Sequence, residues 1–260
     1  MRPQTLMVPA VALVFGFACA FGAADPPAQK APKAKPAPVD PVKKGLMLFN
    51  DTSLSGTGKY ACASCHPRGG HTDNKTYVGV DVVKDGTPEG RSVPTLYGVK
   101  DTAPYSWAGG KTLEENIKGI IMNRMKGKEP SKDQLTSLVA YLGSLEFPNN
   151  PNLNPDGSAS DAAPAAAKRG YQVFLKASCN ACHVPPVFNK ADNEDIGSGG
   201  TFNVPSLRGV STTAPYFHDG RYPTLRALIP AKLKYLEDLG STEKIGPDEV
   251  EDLLVYLGTL

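Results

Sequence analysis

A mostly α-helical fold made of two tandem copies of one small domain is predicted by three features of the 260-residue sequence. A five-residue run occurs twice, a longer pattern repeats around each copy, and apolar residues recur three and four apart. No long stretch alternates polar and apolar residues as a half-buried strand would. Helices are expected over residues 43–49, 112–125, 131–145, 165–175 and 247–257, with extensive loops between them. Ser131 can cap free amides at the start of one helix, and Pro247 suits the first turn of another.

The chain opens on an apolar run from Leu6 to Phe21, preceded by Arg2 and followed by the break Asp25-Pro26-Pro27. That run is short for a membrane span and reads as a secretory signal over residues 1–24, with cleavage expected after Gly22 or Ala24. Cys19 falls inside it, and Gly16 stands where a lipobox would have a branched aliphatic residue. No later run is long enough to cross a membrane, so after signal cleavage no transmembrane segment is expected, and the location is periplasmic or otherwise exported. A leader over residues 25–42, rich in Pro, Ala and Lys, should be semi-extended and solvated. With 28 basic against 26 acidic residues the balance argues against a nucleic-acid partner.

The repeated run is Cys62-Ala63-Ser64-Cys65-His66 and again Cys179-Asn180-Ala181-Cys182-His183. In a C-x-x-C-H element two thiols add across the vinyl groups of a haem and the histidine ligates its iron. Two covalently attached haem c groups are therefore expected, on Cys62 and Cys65 and on Cys179 and Cys182, with His66 and His183 as proximal iron ligands. A zinc knuckle would need further Cys or His ligands, and a thiol redox pair would not need the histidine. Either could explain one copy alone.

The repeat extends well beyond these runs. Lys43 to Phe49 corresponds to Lys168 to Phe174, Val93 to Val99 to Val204 to Val210, and Thr102 to Tyr105 to Thr213 to Tyr216. Each half closes on one amphipathic pattern, Leu135/Leu138/Val139/Leu142 and Val250/Leu253/Leu254/Leu257, ending in Tyr-Leu-Gly. The expected organisation is a first domain over residues 43–147, a linker over 148–167 rich in Asn, Pro, Ser, Asp and Ala, and a second domain over 168–260. An ancestral domain has been duplicated.

With this repeat, the run Leu54-Ser55-Gly56-Thr57-Gly58 and the run Ala214-Pro215-Tyr216-Phe217-His218-Asp219-Gly220, the chain resembles the bacterial di-haem cytochrome c peroxidase family, which includes MauG-like proteins. The likeness covers nearly all of residues 42–260 and implies a mostly α fold of two tandem cytochrome c-like haem domains with extensive loops. It implies a peroxide-handling first haem, an electron-transferring second haem, and a tryptophan between them. Trp107, in Ser106-Trp107-Ala108-Gly109, occupies that place and is the only tryptophan. His218 matches a position near the haem or the domain interface, where a bond to a propionate is expected. The family also holds calcium with oxygens from a Thr-x-Pro run. Thr213 and Pro215 match, but Ser92 stands where an asparagine would be, so calcium stays an open cofactor.

Other departures bear on activity. The glutamate that shuttles protons in the family's peroxidases would align near Met125 and Lys126, and the nearest carboxylate is Glu129. Met122 and Met125 lie there instead, one turn apart, and the resemblance makes Met125 the first choice and Met122 the alternative as distal ligand of the first haem. Around the second haem the family's distal methionine aligns with Lys232. MauG-like members place a tyrosine near this point, where Tyr235 lies one turn on; Pro230 could shift the register, so Tyr235 and Lys232 both remain candidates. His71, in a glycine-rich loop, is expected to face solvent.

The resulting expectation is a periplasmic di-haem c-type cytochrome that exchanges electrons with a small cytochrome c or cupredoxin. Hydrogen peroxide is the substrate the resemblance adds. Pure electron transfer and MauG-like oxidation of a partner protein are the alternatives.

Overall fold

Asp40 accepts a hydrogen bond from the Val42 amide at 2.8 Å, and Pro41 sets the first turn, so a helix begins here: α1, Pro41–Phe49. The computed structural model describes residues 39–260 except 85–86, 198 and 241. The expected signal sequence and nearly all of the leader lie outside the described residues. Gly45 lets α1 pack closely, since a Cβ there would stand 2.0 Å from the Ser137 carbonyl oxygen.

A single turn, α2 (Cys62–Cys65), carries the first motif. An antiparallel hairpin follows, β1 (Thr76–Lys84) with β2 (Thr87–Ser92). α3 (Leu113–Gly119) starts at a capping box in which Thr112 and Glu115 satisfy each other's amides. It passes directly into a π turn, Ile120–Arg124, that ends at Met125. α4 (Lys132–Gly143) is capped by Ser131, whose Oγ accepts from the Gln134 amide at 3.2 Å. Phe49, Ile117, Ile121, Leu138, Tyr141 and Leu142 form the first core.

The second half repeats the plan. α5 (Ala165–Lys176) packs on α7 (Pro247–Gly258) through Gly170, the counterpart of Gly45, where a Cβ would lie 1.9 Å from the Asp252 carbonyl oxygen. Between them come a second antiparallel hairpin, β3 (Lys190–Asp195) with β4 (Thr201–Val204), and a long helix, α6 (Leu225–Asp238). Val173, Phe174, Phe188, Leu253, Tyr256 and Leu257 build the second core. No described helix is long and apolar enough to cross a membrane.

Two helices and two hairpins depart from the sequence expectation. The helix expected over 112–125 is an α segment plus a π turn. α6 was not expected, because Pro230 sits in its interior, where it removes an amide and crowds the preceding turn. Thr224 starts this helix by accepting from the Ala227 amide at 3.1 Å, and Leu225, Leu228, Ile229 and Leu233 hold it against the second core. The two hairpins were not expected either; β3 reads Lys-Ala-Asp-Asn-Glu-Asp, with little strand propensity, and pairs because β4 supplies its partners.

Candidate haem centres and the interface between them

The first motif is fixed by local hydrogen bonds. The Ser64 hydroxyl accepts from the Ala61 amide at 3.0 Å, and the His66 amide closes onto the Cys62 carbonyl at 2.9 Å. Cys62 packs against the first core, and burial pushes its thiol up to about 11; burial also raises Cys65. Burial likewise drives His66 down to about 4, against the pull of Asp73 and of the Pro94 and His71 backbones. The His66 ring is therefore neutral, and its buried Nδ1 makes no hydrogen bond of ordinary geometry.

The second motif forms a 3₁₀ turn, Cys179–Ala181, after Ser178 in a left-handed conformation with φ 56°. Burial pushes the Cys179 thiol up to about 12 and lowers His183. His183 Nδ1 lies 3.0 Å from the Phe188 carbonyl, which leaves the other ring nitrogen for a metal. All four thiols are free.

These donors fit haem and do not fit zinc. A structural zinc needs about four converging ligands, deprotonated where they are thiols. Among the described residues neither Cys pair joins a group of three or more ligating side chains. Two free thiols followed directly by a histidine are the donor set that covalent haem attachment uses.

On the candidate distal side of the first centre, Met125 is half-buried against the first core, whereas Met122 is 36% exposed. The chain after Met125 folds back tightly: Gly56 N donates to the Met125 carbonyl at 2.9 Å, and a Cβ on Gly127 would meet the Leu54 carbonyl oxygen at 1.9 Å. Glu129 is exposed and paired with Lys118. In the second half, Lys232 Nζ donates to the Ile196 carbonyl and lies 4.9 Å and 4.5 Å from the ring centres of Phe217 and Tyr235. Burial and then Arg221 lower the Lys232 ammonium to about 8. Tyr235 rests against Gly197, where a Cβ would come within 2.5 Å of its ring.

The two halves meet through matched contacts. Ser92 N donates to the His218 carbonyl and its counterpart Asn203 N to the Trp107 carbonyl, both at 2.9 Å. Ser92 Oγ donates to the Phe217 carbonyl at 2.8 Å, and Asn203 Nδ2 to the Pro104 carbonyl at 2.7 Å. Each receiving turn holds a cis proline, Pro104 or Pro215, then a residue at positive φ, Ser106 (69°) or Phe217 (71°). Trp107 and His218 thus occupy equivalent positions, and they face each other edge to face at 6.5 Å. Trp107 Nε1 donates to the Ser92 carbonyl at 3.0 Å.

His218 is 2% exposed and stacked on Phe202 at 3.7 Å. Its Nε2 lies 3.6 Å from Glu89 and 4.0 Å from Asp219. Burial lowers its pKa against the opposing pull of Asp219 and Glu89, so at neutral pH these contacts are not ion pairs. The carboxylates are instead matched by Arg91 at 2.5 Å and Arg221 at 2.6 Å, which leaves no net charge to attract a cation. At the Thr213 to Pro215 run, Asn74 Nδ2 bonds the Thr212 and Ala214 carbonyls at 2.9 Å and 2.7 Å. His71 does not simply face solvent: its Nε2 lies 3.2 Å from Thr212 Oγ1, across the boundary. The hairpins and Asn203 are elements that the sequence did not single out, and Ser92 was noted only at the calcium run; the positions of Ser92 and Asn203 just before Val93-Pro94 and Val204-Pro205 in the repeat were the available signal.

A family model described as di-haem cytochrome c peroxidase matches residues 40–146, and one described as RoxA-like, cytochrome c-like matches residues 201–235. The chain is 26% identical over 279 residues to hydrazine synthase subunit gamma of Kuenenia stuttgartiensis, covering 84% of this chain and 77% of that protein. It is 28% identical over 278 residues to cytochrome c551 peroxidase of Pseudomonas aeruginosa, covering 83% and 77%. A solved chain of the K. stuttgartiensis hydrazine synthase superposes with a TM-score of 0.71 at 22% identity, covering 96% of this chain and all of that one, a likeness of fold.

Proposed function

We infer that the chain belongs to the di-haem cytochrome c peroxidase and MauG family, and we propose on that premise that it is an exported two-haem cytochrome whose main work is electron transfer with a small cytochrome c or cupredoxin. When bound, the two haems would supply one-electron redox chemistry and, at an iron with an open axial position, a place for peroxide. Cys62, Cys65 and His66 would hold one, and Cys179, Cys182 and His183 the other.

The observation that carries the reading is the surroundings of Met125. Its side chain is half-buried against the first core, while Glu129, the nearest carboxylate along the sequence, is exposed and tied to Lys118. A thioether moves no proton to a leaving oxygen, and a carboxylate held in an outward ion pair is poorly placed to do so. Trp107, bonded to Ser92 and facing His218, would give electrons a short bonded route between the halves.

That route also favours a second reading, reduction of hydrogen peroxide, which takes two electrons and two protons and would draw on both centres. Electron paramagnetic resonance of the oxidised and half-reduced holoprotein, read beside peroxide turnover, separates the two. Two low-spin ferric signals with no turnover support electron transfer; a high-spin signal that grows on half-reduction and accompanies turnover makes the protein a peroxidase.

A further inference from the structure

The second half places an amine in the middle of an apolar helix face. On α6, Leu225, Leu228, Ile229 and Leu233 pack against the second core, against which Cys179 of the second motif also packs. At about 100° per residue, Lys232 points between Leu228 and Ile229, almost in line with Leu225, while Tyr235 falls at the outer edge of the arc. A lysine there loses hydration and needs partners. Among the described residues no carboxylate lies within 4 Å of it, although Asp195 is near enough to favour its charge; its contacts are the Ile196 carbonyl and the faces of Phe217 and Tyr235. Pro230, two residues earlier, removes a helix hydrogen bond and loosens the turn that carries the amine.

We propose that Lys232 is the distal nitrogen ligand of the second haem, with Tyr235 a wall beside it rather than a ligand. The inference rests on the reading that a haem is attached at Cys179 and Cys182. Coordination uses the lone pair of the amine, so the ammonium gives one proton to solvent and the Ile196 carbonyl exchanges its donor for water. The ring of Tyr235, pressed on one side by Gly197, limits where the lysine stem can swing.

The test uses the exported, haem-loaded chain and four forms of it: wild type, Lys232→Arg, Lys232→Met and Tyr235→Phe. Arginine keeps the charge, the reach to Ile196 and the stacking on aromatic faces, but does not release a proton to bind iron. Haem content per chain is measured first, by the absorbance of the pyridine complex. A wild type with fewer than two haems overturns the underlying reading. With two haems in all forms, Lys232→Arg is expected to turn one low-spin ferric signal into a high-spin one, and added imidazole to restore a low-spin signal. Lys232→Met should give a low-spin signal with altered g values, and Tyr235→Phe should match wild type. An unchanged spectrum in Lys232→Arg, or loss of the low-spin signal in Tyr235→Phe, overturns the proposal.

Discussion

In the first half the helix after the cis-proline turn is short: α3 spans seven residues, gives way to a π turn and ends at Met125, from which the chain folds back onto Gly56. In the second half the helix at the same place, α6, runs fourteen residues straight through Pro230 and carries Lys232 and Tyr235. Other contacts match between the halves: the histidine amide closing onto the first cysteine carbonyl of each motif, the close approaches at Gly45 and Gly170, and the reciprocal bonds of Ser92 and Asn203. The two copies of the repeat agree in the parts that, on the proposed reading, would hold a haem and in those that clamp the halves together, and they differ in these helices. In a haem protein the distal group decides whether the iron only passes electrons or also meets a substrate, so this is where two copies of one domain can take separate roles.

The largest way to break the comparison is to remove one attachment site. Cys62→Ser with Cys65→Ser, or Cys179→Ser with Cys182→Ser, is expected to lower the haem content from two to one per chain, read by absorbance and intact mass. A pair whose removal leaves two haems would end the equivalence of the halves.

Next is the interface. Gly109 and Gly220 have φ of 68° and 72°, and a Cβ would lie 2.2 Å from Asn193 Oδ1 in the first case and 2.4 Å from Thr76 Oγ1 in the second. Gly109→Ala and Gly220→Ala should each destabilise the protein by about 1–3 kcal/mol, by similar amounts, in denaturant unfolding. A large asymmetry would show that the interface is matched in bonds and not in energy.

The distal methionines give a smaller effect. Met125→Ala should cost about 1–2 kcal/mol, less than the loss of a fully buried methionine, and Met122→Ala less than about 0.5 kcal/mol. If Met125 also ligates, only its substitution should change the ferric spectrum.

Smallest is the charge cluster beside His218. The hydrogen bond from Arg91 holds the Glu89 carboxyl below its usual range, against a smaller opposing effect of burial. On acidification the unfolded chain takes up this proton first, so the stabilisation is present above the usual glutamate value of 4.5 and is lost as pH falls through the lower folded value. Glu89→Gln should therefore be less stable than wild type at pH 7, by under about 1 kcal/mol, with the difference vanishing in acid. A constant difference across pH would mean that shape rather than charge holds Arg91.

Much of this was legible in order along the chain. Ser131, Pro247 and the Leu135 and Leu253 patterns mark their helices because capping and apolar spacing act within one or two turns. The C-x-x-C-H runs name their chemistry because the thiols and the histidine act within five residues. α6 was hidden by Pro230, whose local cost is overridden by packing on the second core. β3 was hidden because a strand of charged and amide residues owes its existence to β4 and to Asn193, whose Nδ2 bonds the Ala108 carbonyl of the other half at 2.6 Å.

By itself the sequence determined the repeat, the two C-x-x-C-H runs and most of the helices, all written in short-range pattern. The tertiary structure alone decided that Trp107 faces His218, that Met125 is packed while Met122 is not, and that the Lys232 amine meets the Ile196 carbonyl and the rings of Phe217 and Tyr235. Those outcomes depend on how elements far apart in the chain share space. No spacing along one segment encodes which of two neighbouring side chains a distant core will cover.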